Sequence, residues 1–292
     1  EKIESIGANV DSFMKLGSIK EKLAFATFLA TTPDAKASLK DASSGFSALY
    51  ENYLKPFLRG VFLANPDLES ARTAQAIMRT FALGRPGLPS RGAQELSNLL
   101  AKPLKNIHLN ERVTSIEGST VHTEKASYSS PHIVIATDPA GSTALSPSLP
   151  DVPVSTSTTW YFSVPADFEF NKKLRVNRRG SVVNSLLISD VIPSYAPLDK
   201  KLMTVTVLGN ISEDECKAEL AASWRVSDDH FTFLAKYEIP QSLPAHGVGT
   251  PLSRSIQISQ GLYVAGDHRG LPSQQGAMDS GARVADLIIQ LG

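Results

Sequence analysis

Near its C-terminal end the chain reads GLYVAGDHRGLPSQQGAMDSGARVADLI, Gly261 to Ile288. Several residues there can hold a ligand. Asp267 offers a carboxylate, an acceptor for sugar or polyol hydroxyls. Gly266, without a Cβ, lets a ligand approach the backbone. A helix is expected from about Gln275 and Gly276, with Ser273 as N-cap. Its first turn presents open N–H groups and a positive dipole end, which suit electron-rich oxygens. Its buried stripe is expected to be Ala277, Gly281, Val284 and Ile288. The small residues Gly276, Ala277 and Gly281 permit close packing on a sheet or a flat ligand. "LYVA" reads as a buried strand, and in open α/β sheets ligands sit beyond the C-terminal strand ends. Strand–Gly–loop–helix units are common, however, and a Gly-Asp pair alone specifies no ligand.

Other chemistry is sparse. The six histidines, at 108, 122, 132, 230, 246 and 268, show no helical metal spacing and no HExxH, so no metal is expected. His268 follows the Gly-Asp directly. An exposed loop position is its favoured reading, with approach to a ligand as the alternative. The one cysteine, Cys216, excludes an internal disulfide and falls in a helical stripe with Leu220 and Trp224, which reads as core. Trp160, Tyr161, Phe162, Phe231, Phe233 and Tyr237 suit an apolar cavity, although core packing is the simpler role for most. "RVNRRG", Arg175 to Gly180, reads as a solvated basic turn.

Bulk properties set the class. The 292 residues are 42% apolar and 20% charged, as in an ordinary globular protein. Lys+Arg and Asp+Glu balance at 29 each, which removes a basic footprint for nucleic acid. No apolar run is long enough for a transmembrane helix, and peripheral membrane contact is left open. Cysteine usage fits a reducing compartment such as the cytoplasm or a plastid better than secretion. The first residue is Glu1, not Met, which suggests an N-terminus removed by processing or fragmentation.

The elements that must position these residues change character along the chain. Residues 1–101 read as helical. "SIKEKLAFATFLA" carries a capping box, Ser18 with Glu21. "ALYENYLKPFLRGVFL" is expected to break at Pro56 and Gly60. "SARTAQAIMRTFALG" has Ala74, Ile77, Met78 and Phe81 at helical spacing and Gly84 as its C′ residue. "GAQELSNLLAKPL" is a short helix closed by Pro103. From Lys105 to Asp138 the period becomes that of strands, three or four of them. "HIVIA" is continuously apolar, as in a strand buried on both faces. Residues 139–153 read as a Pro-, Ser- and Gly-rich loop. Strands return over 154–240, with one amphipathic helix at "SEDECKAELAASWRV".

The C-terminal stretch resembles the FAD-binding signature of the superfamily of flavin amine oxidases, protoporphyrinogen oxidases and phytoene desaturases. "YLKPFLRGVFL", "MRTFALGRPGLPSRGAQELSNLLA", "IHLNERVTSIE…HIVIATD" and "YEIPQSLP" resemble further segments in family order. The resemblance implies FAD held non-covalently. Gly266 and Asp267 would contact its diphosphate and ribityl chain, and Gln275, Gly276 and Ala277 its isoalloxazine edge. Val113 would contact the adenine, Ala136 and Thr137 would approach the cofactor, and Tyr237–Pro244 would form a loop beside the flavin. No catalytic residue is assigned. Lys236 is the one candidate for the lysine that some members place near flavin N5.

Two departures qualify the likeness. The family's G-x-G-x-x-G is not found, and "PSRGAQ" replaces the P-x-G-G-M pattern. The expectation is therefore a two-lobed fold, α/β with α+β character. It has an incomplete Rossmann-like FAD domain and a substrate domain of helices and a mixed sheet. The expected divisions are 1–101 (substrate-domain helices), 102–140 (FAD-domain strands), 141–255 (substrate-domain sheet and helix) and 256–292 (FAD-binding strand–loop–helix). The implied activity is hydride transfer from a small amine or apolar substrate to FAD. On this reading the chain is an N-terminally truncated fragment, weak in FAD binding and inactive alone. A non-catalytic binding module and a redox-neutral flavin isomerase are the alternatives.

Overall fold

A computed structural model describes residues 3–5, 17–84 and 87–291. In chain order the main elements begin with β1 (Ile3–Ser5), α1 (Ile19–Ala30), α2 (Lys55–Phe62), α3 (Ala71–Leu83), β2 (Gly87–Pro89) and α4 (Gln94–Ala101). Then come β3 (Val113–Glu117), β4 (Thr120–Thr123), β5 (Ser127–Ser129), β6 (Ile133–Ile135) and α5 (Pro139–Leu145). The central run is β7 (Val154–Pro165), β8 (Arg175–Val176), β9 (Val182–Leu187), β10 (Lys200–Val207), α6 (Glu213–Trp224) and β11 (Thr232–Pro244). The chain ends with β12 (Gln257–Ser259), β13 (Leu262–Val264) and α7 (Gln274–Leu291). It forms two compact units, residues 1–103 with 155–242, and residues 104–154 with 243–292.

The first unit joins the N-terminal helices to a five-stranded sheet of order β11-β7-β10-β9-β8. The pairings β7–β10, β10–β9 and β9–β8 are antiparallel. Ser18 starts α1 with the expected capping box: its hydroxyl accepts from Glu21 N–H while the Glu21 carboxylate accepts from Ser18 N–H. The same carboxylate accepts from the N–H groups of Ala48 and Leu49, tying α1 to the turn 27 residues on. The helices pack around Phe25, Phe28, Phe46, Leu49, Leu58 and Phe62. The sheet core is Trp160, Phe162, Met203 and Val205 against Cys216, Leu220 and Trp224 of α6, so the i, i+4, i+8 stripe read from sequence is the buried face. Burial pushes the Cys216 thiol up to about 12.

Local expectations fail where a neighbour overrides propensity. A π-helical turn, Tyr50–Leu54, runs into α2 just before Pro56, so the regular α ladder is interrupted there, while Gly60 lies inside α2 without a break. A Cβ on Gly60 would collide with the Asn184 amide of β9, so the glycine admits a close helix–strand approach. Phe81 is 44% exposed, edge-on to Phe57, and is not part of the buried stripe of α3. Gly84 caps α3 in an extended conformation (φ −89°, ψ 177°), not a left-handed one. Residues 139–145 form the helix α5, capped by Asp138, within the expected loop. Tyr237–Pro244 is strand, part of β11, not loop. Arg85 and Pro86, in the segment joining α3 to β2, lie outside the described residues.

The second unit holds two small sheets, β12-β13-β6 and β3-β4-β5. In the first, β13 is central, antiparallel to β12 and parallel to β6. Tyr263, Ala265 and Val284 form its core, with α7 covering one face. Ile133 and Ile135 are buried but Val134 is 41% exposed, so β6 is covered on one face within the described residues, not on both. Among the described residues no helix is long and apolar enough to cross a membrane.

Replacing Leu220 by Ala, at the centre of the sheet–α6 core, is expected to lower the unfolding free energy by about 3 kcal/mol. Denaturant titration of the two proteins measures the difference.

Candidate functional site: the β13–turn–α7 unit

The site begins with the parallel ladder. Leu262, Tyr263 and Val264 pair in register with Ile133, Val134 and Ile135. Ala265 N–H donates to Ile135 O at 2.9 Å, continuing the ladder past both strands. Ala136 and Thr137 therefore leave the sheet at the same edge as Gly266 and Asp267, the position where open sheets bind ligands. Ala136 and Thr137 are exposed. The Thr137 hydroxyl lies 3.1 Å from that of Ser142, and Asp138 accepts from Gly141 N–H at 2.7 Å, which fixes this corner.

Gly266 has φ +153° and ψ 169°, a conformation that favours glycine. Its N–H donates to the Ser280 hydroxyl at 2.8 Å, and that hydroxyl donates to Ala277 O at 2.7 Å, so α7 clamps the end of β13. The space a Cβ would fill on Gly266 is taken by the imidazole of His268. This revises the expected use of that glycine: on this face it admits the chain's own ring. His268 itself is 1% exposed, not an exposed loop residue, because the turn Asp267–Arg269 folds it inward against Gly266.

Ser273 caps α7 as expected. Its hydroxyl accepts from Gly276 N–H at 3.0 Å and its carbonyl from Ala277 N–H at 3.0 Å. These bonds leave the N–H groups of Gln274 and Gln275 to other acceptors. A Cβ on Gly276 would overlap the carbonyl of Leu271, so this glycine packs on the incoming backbone, while nothing stands beside Gly281. The fully buried stripe is Gly276, Ser280 and Val284, with Ala277, Gly281 and Ile288 half-buried beside it. Val284 is buried as expected, while in the first two turns Gly276 and Ser280 replace Ala277 and Gly281 as the most buried positions, Ser280 reaching Gly266. Gln275 is exposed.

Val113 lies apart, paired with Thr123 at the start of β3 in the other small sheet. All eight residues singled out from sequence (Val113, Ala136, Thr137, Gly266, Asp267, Gln275, Gly276 and Ala277) fall within the second unit. Lys236 falls in the first, on β11. Its ammonium pairs with Glu238 at 2.8 Å, donates to Asn210 at 3.2 Å and lies 5.1 Å from the centre of the Trp160 ring.

A charged cluster around the turn has no signature in the local sequence. His246 is 1% exposed. Burial, with the positive charge of Arg254 beside it and against the pull of Asp267, lowers it from 6.5 to about 4. Arg283 of α7 donates to the backbone carbonyls of Arg269 at 3.2 Å and Arg254 at 2.9 Å. Arg254 N–H donates to Arg269 O at 3.0 Å. The Asp267 carboxylate stays 30% exposed, 3.8 Å from His268 Nδ1. Among the described residues both ring nitrogens of His268 and Nε of Arg269 are buried without a hydrogen-bond partner. Such orphan atoms call for a further polar partner, an ordered water or a ligand. Together with the open carboxylate and the helix start, they fit a ligand rich in hydroxyl and phosphate oxygens.

The model of the family "Flavin containing amine oxidoreductase" matches residues 2–289. A comparison with curated proteins finds no match. Among solved structures, an oxidoreductase from Methanosarcina mazei is similar, with 14% identity and a TM-score of 0.73 over 96% of this chain and 75% of that one. A protein from Pyrococcus furiosus is similar at 14% identity and a TM-score of 0.72, over 98% of this chain and 78% of that one. Reduced UDP-galactopyranose mutase is similar at 11% identity and a TM-score of 0.62, over 93% and 74%. At such identities the likeness is one of fold. The match over nearly the whole length decides the class: the chain belongs to the flavin-containing amine oxidoreductase family. Membership implies a flavin cofactor.

The His246 environment makes a pH prediction. The unfolded chain takes up a proton near 6.5 and the folded one only near 4, so between these values the unfolded state holds more protons. The contribution is complete above 6.5 and is lost as pH falls toward 4. Between pH 7 and pH 4.5 the loss is expected to be about 2 kcal/mol. Urea unfolding of wild type and His246→Gln at both pH values checks it: the drop should be smaller by that amount in the variant.

Proposed function

We propose that the chain is the cofactor- and substrate-binding part of an FAD-dependent oxidoreductase acting on a small amine or apolar molecule. The observation that carries this is the common edge of β6 and β13, where Ala136, Thr137, Gly266 and Asp267 emerge beside the start of α7. When bound, FAD supplies the hydride acceptor; the protein binds and orients it and shields the reaction from water. Asp267 would accept hydrogen bonds from the ribityl and ribose hydroxyls, its two oxygens being partly open to solvent. The first turn of α7, at Gln275, Gly276 and Ala277, would face the electron-rich edge of the ring with its positive dipole end. Val113, on the second small sheet, would meet the adenine.

Attachment would be non-covalent with respect to cysteine, since Cys216 is the sole thiol and is buried in the core of the other unit. The exposed Phe233, Leu234, Tyr237 and Ile239 of β11 supply apolar surface for a substrate of low polarity. The reading also requires a phosphate cradle beyond these 292 residues, because no G-x-G-x-x-G lies within them. Among the described residues the outer edge of β6 is unpaired, which is consistent with further strands joining there. Alone, the chain is therefore expected to bind FAD with a Kd above about 1 µM and to turn over little.

FAD titration followed by flavin fluorescence tests the assignment. Asp267→Ala should weaken binding at least about tenfold, as the loss of a charged acceptor implies. An unchanged Kd would remove Asp267 from the site. Sub-micromolar binding with turnover by the chain alone would overturn the need for an outside cradle.

A further inference from the structure

Among the described residues β11 is the longest strand, and one side of it has no partner. It ends the order β11-β7-β10-β9-β8, so only β7 is hydrogen-bonded to it. Its side chains Leu234, Tyr237 and Ile239 are 53%, 58% and 39% exposed. An apolar edge of this length is a template for a further strand, and proteins ordinarily blunt such edges. Pro240, which has no N–H to give, is tolerated on an edge and limits how far an added ladder can run.

The charges on β11 favour one kind of added strand. From Thr232 to Ser242 the only charged residues are Lys236 and Glu238, two positions apart. Lys236 lies over the ring of Trp160, and Tyr237 stands edge-on to Tyr161, the next residue of β7. Side chains therefore alternate between faces here, and Lys236 and Glu238 share one. Their ion pair at 2.8 Å agrees, and it leaves Glu238 67% exposed. A strand with a positive and a negative charge two residues apart is its own complement when reversed. Antiparallel pairing of two copies of β11 about Tyr237 sets Lys236 of each opposite Glu238 of the other. Ala235 then meets Ile239, and Leu234 meets Pro240. Centring on Lys236 or on Glu238 would oppose like charges, and no other antiparallel register sets Lys236 against Glu238. Opposite charges directly across a ladder stabilise it and like charges destabilise it.

We propose that two copies of this chain associate edge to edge through β11, antiparallel and centred on Tyr237. The result is one continuous sheet with five strands from each copy. Such a contact is isologous: it closes on itself about a two-fold axis and does not propagate into a fibre. Neither the backbone edge of β11 nor its two charges has a part in the flavin reading. Pairing stops where Leu234 meets Pro240, and an interface of one short strand pair is smaller than that of a stable complex. The expected dimer is therefore weak, with a Kd of about 10–100 µM.

The test is sedimentation equilibrium of the purified chain in low-salt buffer, over a range of concentrations spanning that Kd. Wild type is expected to pass from the mass of one chain to that of two. Lys236→Glu and Glu238→Lys should each weaken self-association at least about tenfold, because each sets like charges opposite one another twice in the dimer. Mixing the two variants should restore the dimer, since the mixed pair again opposes Glu with Lys at both places. Circular dichroism and Tm of each variant alone establish that it is folded. Should either single variant fail to fold, the double exchange K236E/E238K decides: it keeps the complementarity and should dimerise as wild type does.

Wild type that stays monomeric throughout the range overturns the proposal. So do single variants that dimerise as wild type does, a mixture of the two folded variants that stays monomeric, or a folded double exchange that does not dimerise. None of these outcomes bears on flavin binding, so the dimer and the flavin reading stand or fall separately.

Discussion

The parallel pairing of β6 with β13 is the constraint on which the rest of the site depends. It joins segments about 130 residues apart and aligns Val264 with Ile135. Because parallel strands end at the same edge, both chain exits carry their polar residues to one place. Everything downstream then has to accommodate that edge. Gly266 adopts a glycine conformation to turn the chain, Ser280 reaches back from α7 to hold its N–H, and Gly276 lets the entering loop pass against the helix. A side chain at either glycine would collide with the protein itself.

The turn concentrates polar and charged groups where a core would ordinarily be apolar. His246, His268 and Arg269 are all nearly excluded from solvent within a few residues of Asp267 in sequence or space. A fold that gains nothing from such burial would replace these groups by apolar ones. For His268 and Arg269, whose ring nitrogens and Nε have no hydrogen-bond partner among the described residues, a polar ligand would offset that cost. The first unit shows the contrasting case. There the buried acid Asp190 is matched by Lys201 at 3.3 Å and accepts from Asn171 N–H at 2.7 Å, so the polar groups are closed among themselves.

Much of this was legible from sequence wherever the signal is local. The capping box of α1, the stripe of α6 and the Ser273 cap each rest on residues within one or two turns, and each forms as read. The apolar run before the Gly-Asp forms the strand read from sequence, β13. What was not legible depends on partners distant in the chain. Gly60 is helical because Asn184 needs the room, and His268 is buried because Gly266 offers it a face. Arg254 and Arg269 look like any surface arginines until the backbone bonds that gather them are known.

Hydrogen–deuterium exchange of the purified chain with and without saturating FAD tests the central claim most directly. The account predicts slowed exchange at residues 262–281 and 133–138, with the sheet and α6 of the first unit unchanged. Slowed exchange confined to the first unit, or none at the common edge of β6 and β13 although FAD is bound, would contradict it.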